Sequence, residues 1–206
     1  MNREKLLGGS KGFTLIEMAI VLIIIGIIIG AVVKGKDIIR SAEQKKIYSK
    51  FVNEWQIAYM NFYDRTGRIL GDRNSPPDGQ ADASTCTQLI NGNPPTYYGL
   101  KNVGLNSPTT NSSNACTYRY SDSEGNMHDI SITFDYDGTD NYNYMHVTAI
   151  PLELAMALDK MIDGEADGTK GDFIRIASDG GTPLPWIRSS EGPTDESKAV
   201  RWKMQF

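Results

Sequence analysis

A carboxylate stands at the head of the longest apolar run in this 206-residue chain. Glu17 directly precedes Met18–Val33, a stretch without a charged residue. With Phe13–Ile16 ahead of it, the segment Phe13–Val33 reaches the ~20 residues a helix needs to cross a bilayer. A helix that is apolar all round must be buried in protein or in lipid. An ionisable group inside such a segment is costly, so Glu17 is a functional hypothesis that needs a counter-charge. Cutting the chain after Gly12 would create an α-amino group on Phe13, about one helical turn from Glu17. That amine, on the same chain or a neighbour, is the natural partner.

The run Lys11-Gly12, Phe13-Thr14-Leu15-Ile16-Glu17, Met18-Ala19-Ile20-Val21-Leu22-Ile23-Ile24-Ile25-Gly26 resembles the class III signal of type IV pilins and type II secretion pseudopilins. The match covers roughly the first fifth of the chain. The resemblance implies cleavage between Gly12 and Phe13 by a membrane prepilin peptidase, N-methylation of Phe13, and assembly into a helical filament through an inner-membrane platform. It places the leader 1–12 in the cytoplasm and the head in the periplasm before assembly, then in a pilus or pseudopilus. Charge alone does not orient the segment, because Arg3, Lys5 and Lys11 on one side face Lys34, Lys36 and Arg40 on the other. Many pilins carry a proline further along this helix; here that position is Lys34, and several minor subunits lack the proline too.

Two plainer readings compete. An ordinary secretory signal has a shorter apolar core and a small-residue cleavage site after it, whereas Gly30-Ala31-Val32-Val33-Lys34 offers no A-x-A pattern. A simple single-span anchor would leave Glu17 near the headgroups without a further role.

Mean hydropathy is −0.36, so outside the one span the chain has the composition of a soluble domain. Net charge is −4, and the leader carries +2, so the chain from Phe13 onward is −6. An acidic head is a poor non-specific nucleic-acid binder, and no nucleic-acid partner is expected. Cys86 and Cys116 form an even pair, which in an exported protein reads as a disulfide. Many pilins place a disulfide near the C-terminus; here roughly ninety residues follow Cys116, so the bridge would staple the middle of the head.

After Ile38 the apolar residues become periodic. Tyr48, Phe51, Val52, Trp55, Ala58, Tyr59 and Phe62 step by three and four along one helical face. Lys45, Lys46, Lys50, Asn53, Glu54 and Asn61 fill much of the other. Thr66-Gly67 supplies a stop. Residues 13–66 are expected as one helix roughly 80 Å long at ~1.5 Å per residue, apolar all round at 13–33 and amphipathic afterwards. An aromatic stripe of this kind packs a sheet far more often than it conducts electrons.

Residues 67–206 are expected to form an α+β head. Turn formers dominate up to Thr117: Asn74-Ser75-Pro76-Pro77-Asp78-Gly79, Asn91-Gly92-Asn93-Pro94-Pro95 and Asn106–Asn114. Asn111-Ser112-Ser113 matches a glycosylation sequon, for which a surface loop is the default reading. Strand signals follow at Thr117–Tyr120, Asp129–Tyr136, Tyr142–Ile150, Phe173–Ala177 and Ala199–Met204, with a helix starting near Pro151. In the second of these, Ile130, Ile132, Phe134 and Tyr136 share a face. Antiparallel strands covering one face of a long N-terminal helix make the pilin-like architecture.

Catalysis finds no footing: there is no phosphate loop, no nucleophile elbow and no zinc motif, and His128 and His146 stand in strands without sequence partners. The chain is expected not to be an enzyme and to need no cofactor. One cluster invites a cation. Asp163-Gly164-Glu165-Ala166-Asp167-Gly168 spaces oxygen ligands two apart, like the first half of a calcium loop, with Asp172 as a fourth candidate. Calcium sites occur in the heads of some pilins and pseudopilins, while a solvated acidic turn is the plainer reading. Within the apolar segment, Gly26 and Gly30 give a GxxxG spacing that lets helices approach closely, although each glycine weakens the helix by roughly 1 kcal/mol.

The expected function is a structural subunit of a type IV pilus or similar filament, with Glu17, Gly26 and Gly30 in assembly. Alternatives are a minor pseudopilin of a type II secretion system, or a membrane-anchored binding module that uses the same export signal. The implied partners are other pilin subunits, the prepilin peptidase, the assembly platform and, before assembly, membrane lipid.

Overall fold

A computed structural model describes residues 12–72, 76–82, 85–177, 182–187, 190–192, 194–197 and 200–206. The leader residues 1–11, Asn74-Ser75 and Ala199 lie outside that set. Contacts divide the chain into two units, Met1–Ala42 and Glu43–Phe206. The division falls inside the helical run, so the amphipathic part of the helix belongs to the compact head.

The first unit is helical from Leu15 onward, in α1 (Leu15–Ile47). Among its described residues none is buried. Leu15 is 92% exposed and Leu22 69%.

In the second unit α1 ends and runs through a π-helical turn (Tyr48–Val52) into α2 (Asn53–Thr66). The sequence pattern implied an uninterrupted α-helix; the difference has a packing reason. Ile47, Phe51, Trp55 and Tyr59 recur every fourth residue and all are buried. At 3.6 residues per turn a run of fours drifts by about 40° per step. The wider i→i+5 turn absorbs that drift and keeps the aromatic face aimed one way. Gly67 stops the helix as expected: its φ of 67° is left-handed, and its N–H donates to the Tyr63 carbonyl at 2.7 Å.

The strands are β1 (Thr117–Ser121), β2 (Met127–Asp137), β3 (Tyr142–Thr148), β4 (Ile150–Pro151), β5 (Phe173–Ile176), β6 (Pro183–Leu184), β7 (Glu196–Ser197) and β8 (Val200–Lys203). Six form one antiparallel sheet in the order β1-β2-β3-β8-β5-β6, and β4 pairs with β7. The strands expected from sequence are present with slightly shifted ends, but β8, the last in the chain, slots between β3 and β5. Ala149, at φ 54°, separates β3 from β4 where one continuous strand was expected.

The aromatic helix face packs on the first half of this sheet. Phe51 lies 5.3 Å from Tyr118 between ring centroids, and Trp55 and Tyr59 lie 5.9 and 5.0 Å from Phe134. Ile130, Ile132 and Phe134 are buried together, as their alternation implied, and Tyr136 is only half-buried. Helix α4 (Leu152–Ile162) covers a second part of the core with Leu154, Ala155 and Leu158. Pro151 is its N-cap, in extended conformation, and the helix starts one residue later than its proline suggested.

The described residues of the connection 68–116 include elements that its turn-rich sequence did not imply. They contain α3 (Cys86–Asn91), opened by a Thr85/Gln88 capping box, and a short 3-10 turn (Leu100–Val103). Cys86 and Cys116 are joined in a disulfide with 5.7 Å between Cα atoms, tying α3 to the start of β1.

The outer edge of β1 is occupied by side chains. Asn111 Nδ2 donates to the Arg119 carbonyl at 2.8 Å, and its Oδ1 accepts from the Arg119 N–H at 2.7 Å. Thr110 Oγ1 donates to the Thr117 carbonyl. The asparagine of the sequon therefore pairs with a strand edge as a peptide group would.

Candidate assembly site

The first turn of α1 is built around Glu17. Its Oε2 accepts from the Thr14 N–H at 2.8 Å and from the Thr14 hydroxyl at 2.9 Å, while the Glu17 N–H donates to Thr14 Oγ1 at 3.3 Å. This is a capping box: each side chain satisfies a backbone donor that the first helical turn leaves free. The spacing Thr14-x-x-Glu17 is a sequence signature of that motif, so this role of Glu17 was there to be read. Phe13, just outside the helix, is 79% exposed. Gly12 is exposed too, and a Cβ added there would meet nothing within 4 Å.

Beyond the cap the helix shows aliphatic side chains on every side, among them Leu22, Ile23, Ile27 and Ile29. It is long and apolar enough to cross a membrane. A Cβ added at Gly26 or Gly30 would also meet nothing within 4 Å. Within one chain these two helix-weakening glycines accommodate no neighbour.

Residues 8–33 match a family model described as the prokaryotic N-terminal methylation motif. This is the class III signal of type IV pilins and pseudopilins. Comparison of the chain with curated proteins and with solved structures returns no match. The pilin-like signal implies processing by prepilin peptidase and assembly with other pilin subunits, and it marks structural rather than enzymatic proteins. Together with the exposed apolar helix it fits membrane anchoring. The long helix followed by an antiparallel sheet is the pilin-like α+β architecture.

In this pilin-like head the acidic loop after α4 is stitched by its own carboxylates. Asp163 Oδ1 accepts from the Asp172 N–H at 3.2 Å and its Oδ2 from the Phe173 N–H at 2.8 Å. Asp167 Oδ1 accepts from the N–H groups of Thr169 and Lys170 at 2.7 and 2.8 Å. The chain closes so tightly here that a Cβ on Gly168, at φ 75°, would lie 2.8 Å from the Leu184 carbonyl. Glu165 is exposed. Among the described residues no three His, Cys, Asp or Glu side chains converge on a point that could hold a metal ion. Asp163, Glu165, Asp167 and Asp172 thus do not assemble the calcium ligand set their spacing suggests, because the loop uses carboxylate oxygens on backbone donors.

The buried acid beside that loop is Asp159, which no spacing rule singled out. Its Oδ2 accepts from Trp186 Nε1 at 2.6 Å and from the N–H groups of Asp167 and Gly168 at 3.0 and 3.2 Å. Its Oδ1 is buried without an acceptor's usual donor. Burial raises its carboxyl above the ordinary aspartate value, Trp186 and Gly168 pull it down, and the neighbouring Asp163 raises it again. Burial is the largest of these causes, so the carboxyl stands above its ordinary value.

Proposed function

We propose that this chain is a structural subunit of a type IV pilus or pilus-like filament, matured by cleavage between Gly12 and Phe13 and N-methylation of Phe13. The observation that carries the reading is an apolar helix, exposed on all sides, that opens with the methylation motif. Before assembly the segment Phe13–Val33 sits in the inner membrane with the head in the periplasm. Transfer into a filament exchanges lipid for neighbouring helices, so apolar burial changes little and packing decides. Gly26 and Gly30 let those neighbours approach closely. The Thr14 cap lowers the cost of holding the Glu17 carboxylate in the membrane, since two donors already face it. In the filament Glu17 pairs with a Phe13 amine, and the pair sets register more than it adds stability, because buried ion pairs often only break even.

Mass spectrometry of the protein in sheared filaments is expected to find a mature N-terminus at methylated Phe13. A chain starting elsewhere, or retaining Met1, would end this reading. Abundance in the same preparation separates the roles: a main component is a major subunit, and a trace component is a minor pilin or pseudopilin. A chain that is cleaved yet never enters filaments is an anchored binding module.

A further inference from the structure

His128 lies on β2, on the face that carries Ile130, Ile132 and Phe134 into the core, and its side chain is 7% exposed. Both ring nitrogens meet carboxylates. Nε2 is 2.9 Å from Asp122 Oδ2, in the β1–β2 turn, and Nδ1 is 2.8 Å from Glu196 Oε1, on β7. An ionised carboxylate can only accept, so both bonds form together only when the ring carries a proton on each nitrogen. We propose that His128 is a pH-operated clasp, which as imidazolium fastens β7 to β2 and on losing its proton lets β7 go.

The two sides of the clasp are unequal. The Asp122 side chain is fully buried, and its oxygens also accept from the N–H groups of Glu124 and Asn126 at 2.9 and 2.8 Å and from Asn126 Nδ2 at 2.9 Å. Left without the His128 proton it would lose a donor with no water to replace it. The Glu196 side chain is 50% exposed and can turn to water. A neutral ring therefore keeps its N–H on Nε2, toward Asp122, and presents a bare lone pair on Nδ1 to the Glu196 carboxylate. That repulsion falls on β7, a two-residue strand that pairs with β4 through Ile150↔Ser197 and Pro151↔Glu196. The Leu152 N–H, which donates to the Asp195 carbonyl at 2.9 Å, ties the same segment to the start of α4.

Among the described residues, the charges that act on the ring are Asp122 from the turn and Glu196 from β7. From α4, Glu153 reaches the same turn, accepting from the Ser123 N–H at 3.1 Å and the Tyr120 hydroxyl at 3.0 Å. Burial lowers the His128 value, and the bonds and charges of the two carboxylates outweigh it, leaving it above the ordinary 6.5. Burial pushes the Asp122 carboxyl up, and its hydrogen bonds from His128 and Asn126 hold it far below the usual range. For a histidine raised in the folded state the stabilisation is complete below the unfolded value and disappears as pH climbs through the folded one.

The test uses the full chain in detergent micelles, labelled on histidine and titrated by NMR from about pH 5 to about pH 9, with hydrogen exchange of the 194–197 segment followed in parallel. His128 is expected to titrate above 6.5 with both nitrogens protonated at the low end. Protection at 194–197, corrected for intrinsic exchange, is expected to fall about tenfold through the same midpoint. Glu196→Gln should lower the midpoint while leaving the fold intact, and His128→Gln should make 194–197 protection independent of pH. Titration at or below 6.5, or protection that ignores the midpoint, would overturn the clasp. Glu196→Gln supplies the decision if His128→Gln fails to fold.

Discussion

One helical run, Leu15–Thr66, presents apolar side chains in two opposite ways. Ile20, Ile23, Ile24 and Ile28 are between half and two-thirds exposed, and their neighbours point in all directions. Phe51, Trp55 and Tyr59, further along the same run, are fully buried on a single face. The two parts differ in how apolar they are and in how that apolarity is distributed: the first is apolar on all sides, the second on one face only. A one-sided stripe finds its cover inside the same chain, here a sheet. An all-round coat has no such solution within this fold and is satisfied by lipid or by other helices.

The largest effect should come from attacking the uncovered part. Gly12→Ala should block maturation, and Glu17→Ala should permit cleavage while abolishing incorporation into filaments, both read by mass spectrometry and immunoblotting of sheared material. Normal filaments from Glu17→Ala would remove the special status of the first turn. Next comes the covered part. Phe134→Ala should cost the head about 3–5 kcal/mol, because Trp55 and Tyr59 both lean on that ring. Ile24→Ala should leave thermal unfolding of the head unchanged. Equal losses from the two substitutions would erase the distinction between the regions. The disulfide ranks below this. Replacing both cysteines with serine should cost about 2–4 kcal/mol in a denaturant titration, given the 30-residue separation.

The smallest effects belong to the acidic loop. Because the Asp159 carboxyl is raised in the folded head, chiefly by burial, its contribution is present below the ordinary aspartate value and is lost as pH rises through the folded one. Asp159→Asn should flatten that part of the profile of melting temperature against pH. Calcium should leave the melting temperature unmoved. A rise of several degrees, reversed by chelator, would show the loop exchanging its backbone donors for the ion.

What the sequence revealed follows the range of the forces involved. Thr66-Gly67 and the Ile130, Ile132, Phe134 alternation were legible because a helix stop and a strand face are local properties. The Thr14/Glu17 box was equally local, yet an acid in an apolar run also admits a long-range partner, and spacing alone does not choose between them. The π turn at Tyr48–Val52 follows from a run of fours that only matters once a sheet must be met. The position of β8 between β3 and β5 depends on pairings far apart in sequence, for which no local pattern exists. His128 shows both cases: Asp122 lies six residues away in a visible turn, whereas Glu196 lies 68 residues away on a two-residue strand. The calcium spacing is ambiguous for a different reason. Aspartates two apart also form turns that bind their own backbone, and the two uses look alike in sequence.

The carboxamide of Asn111 has a consequence for how such molecules can meet. By imitating the peptide of an absent neighbour at Arg119, it denies stray strands a template along one rim of the sheet. Ribbon-like aggregation through that rim is thereby discouraged, and the apolar rod is left as the sticky surface.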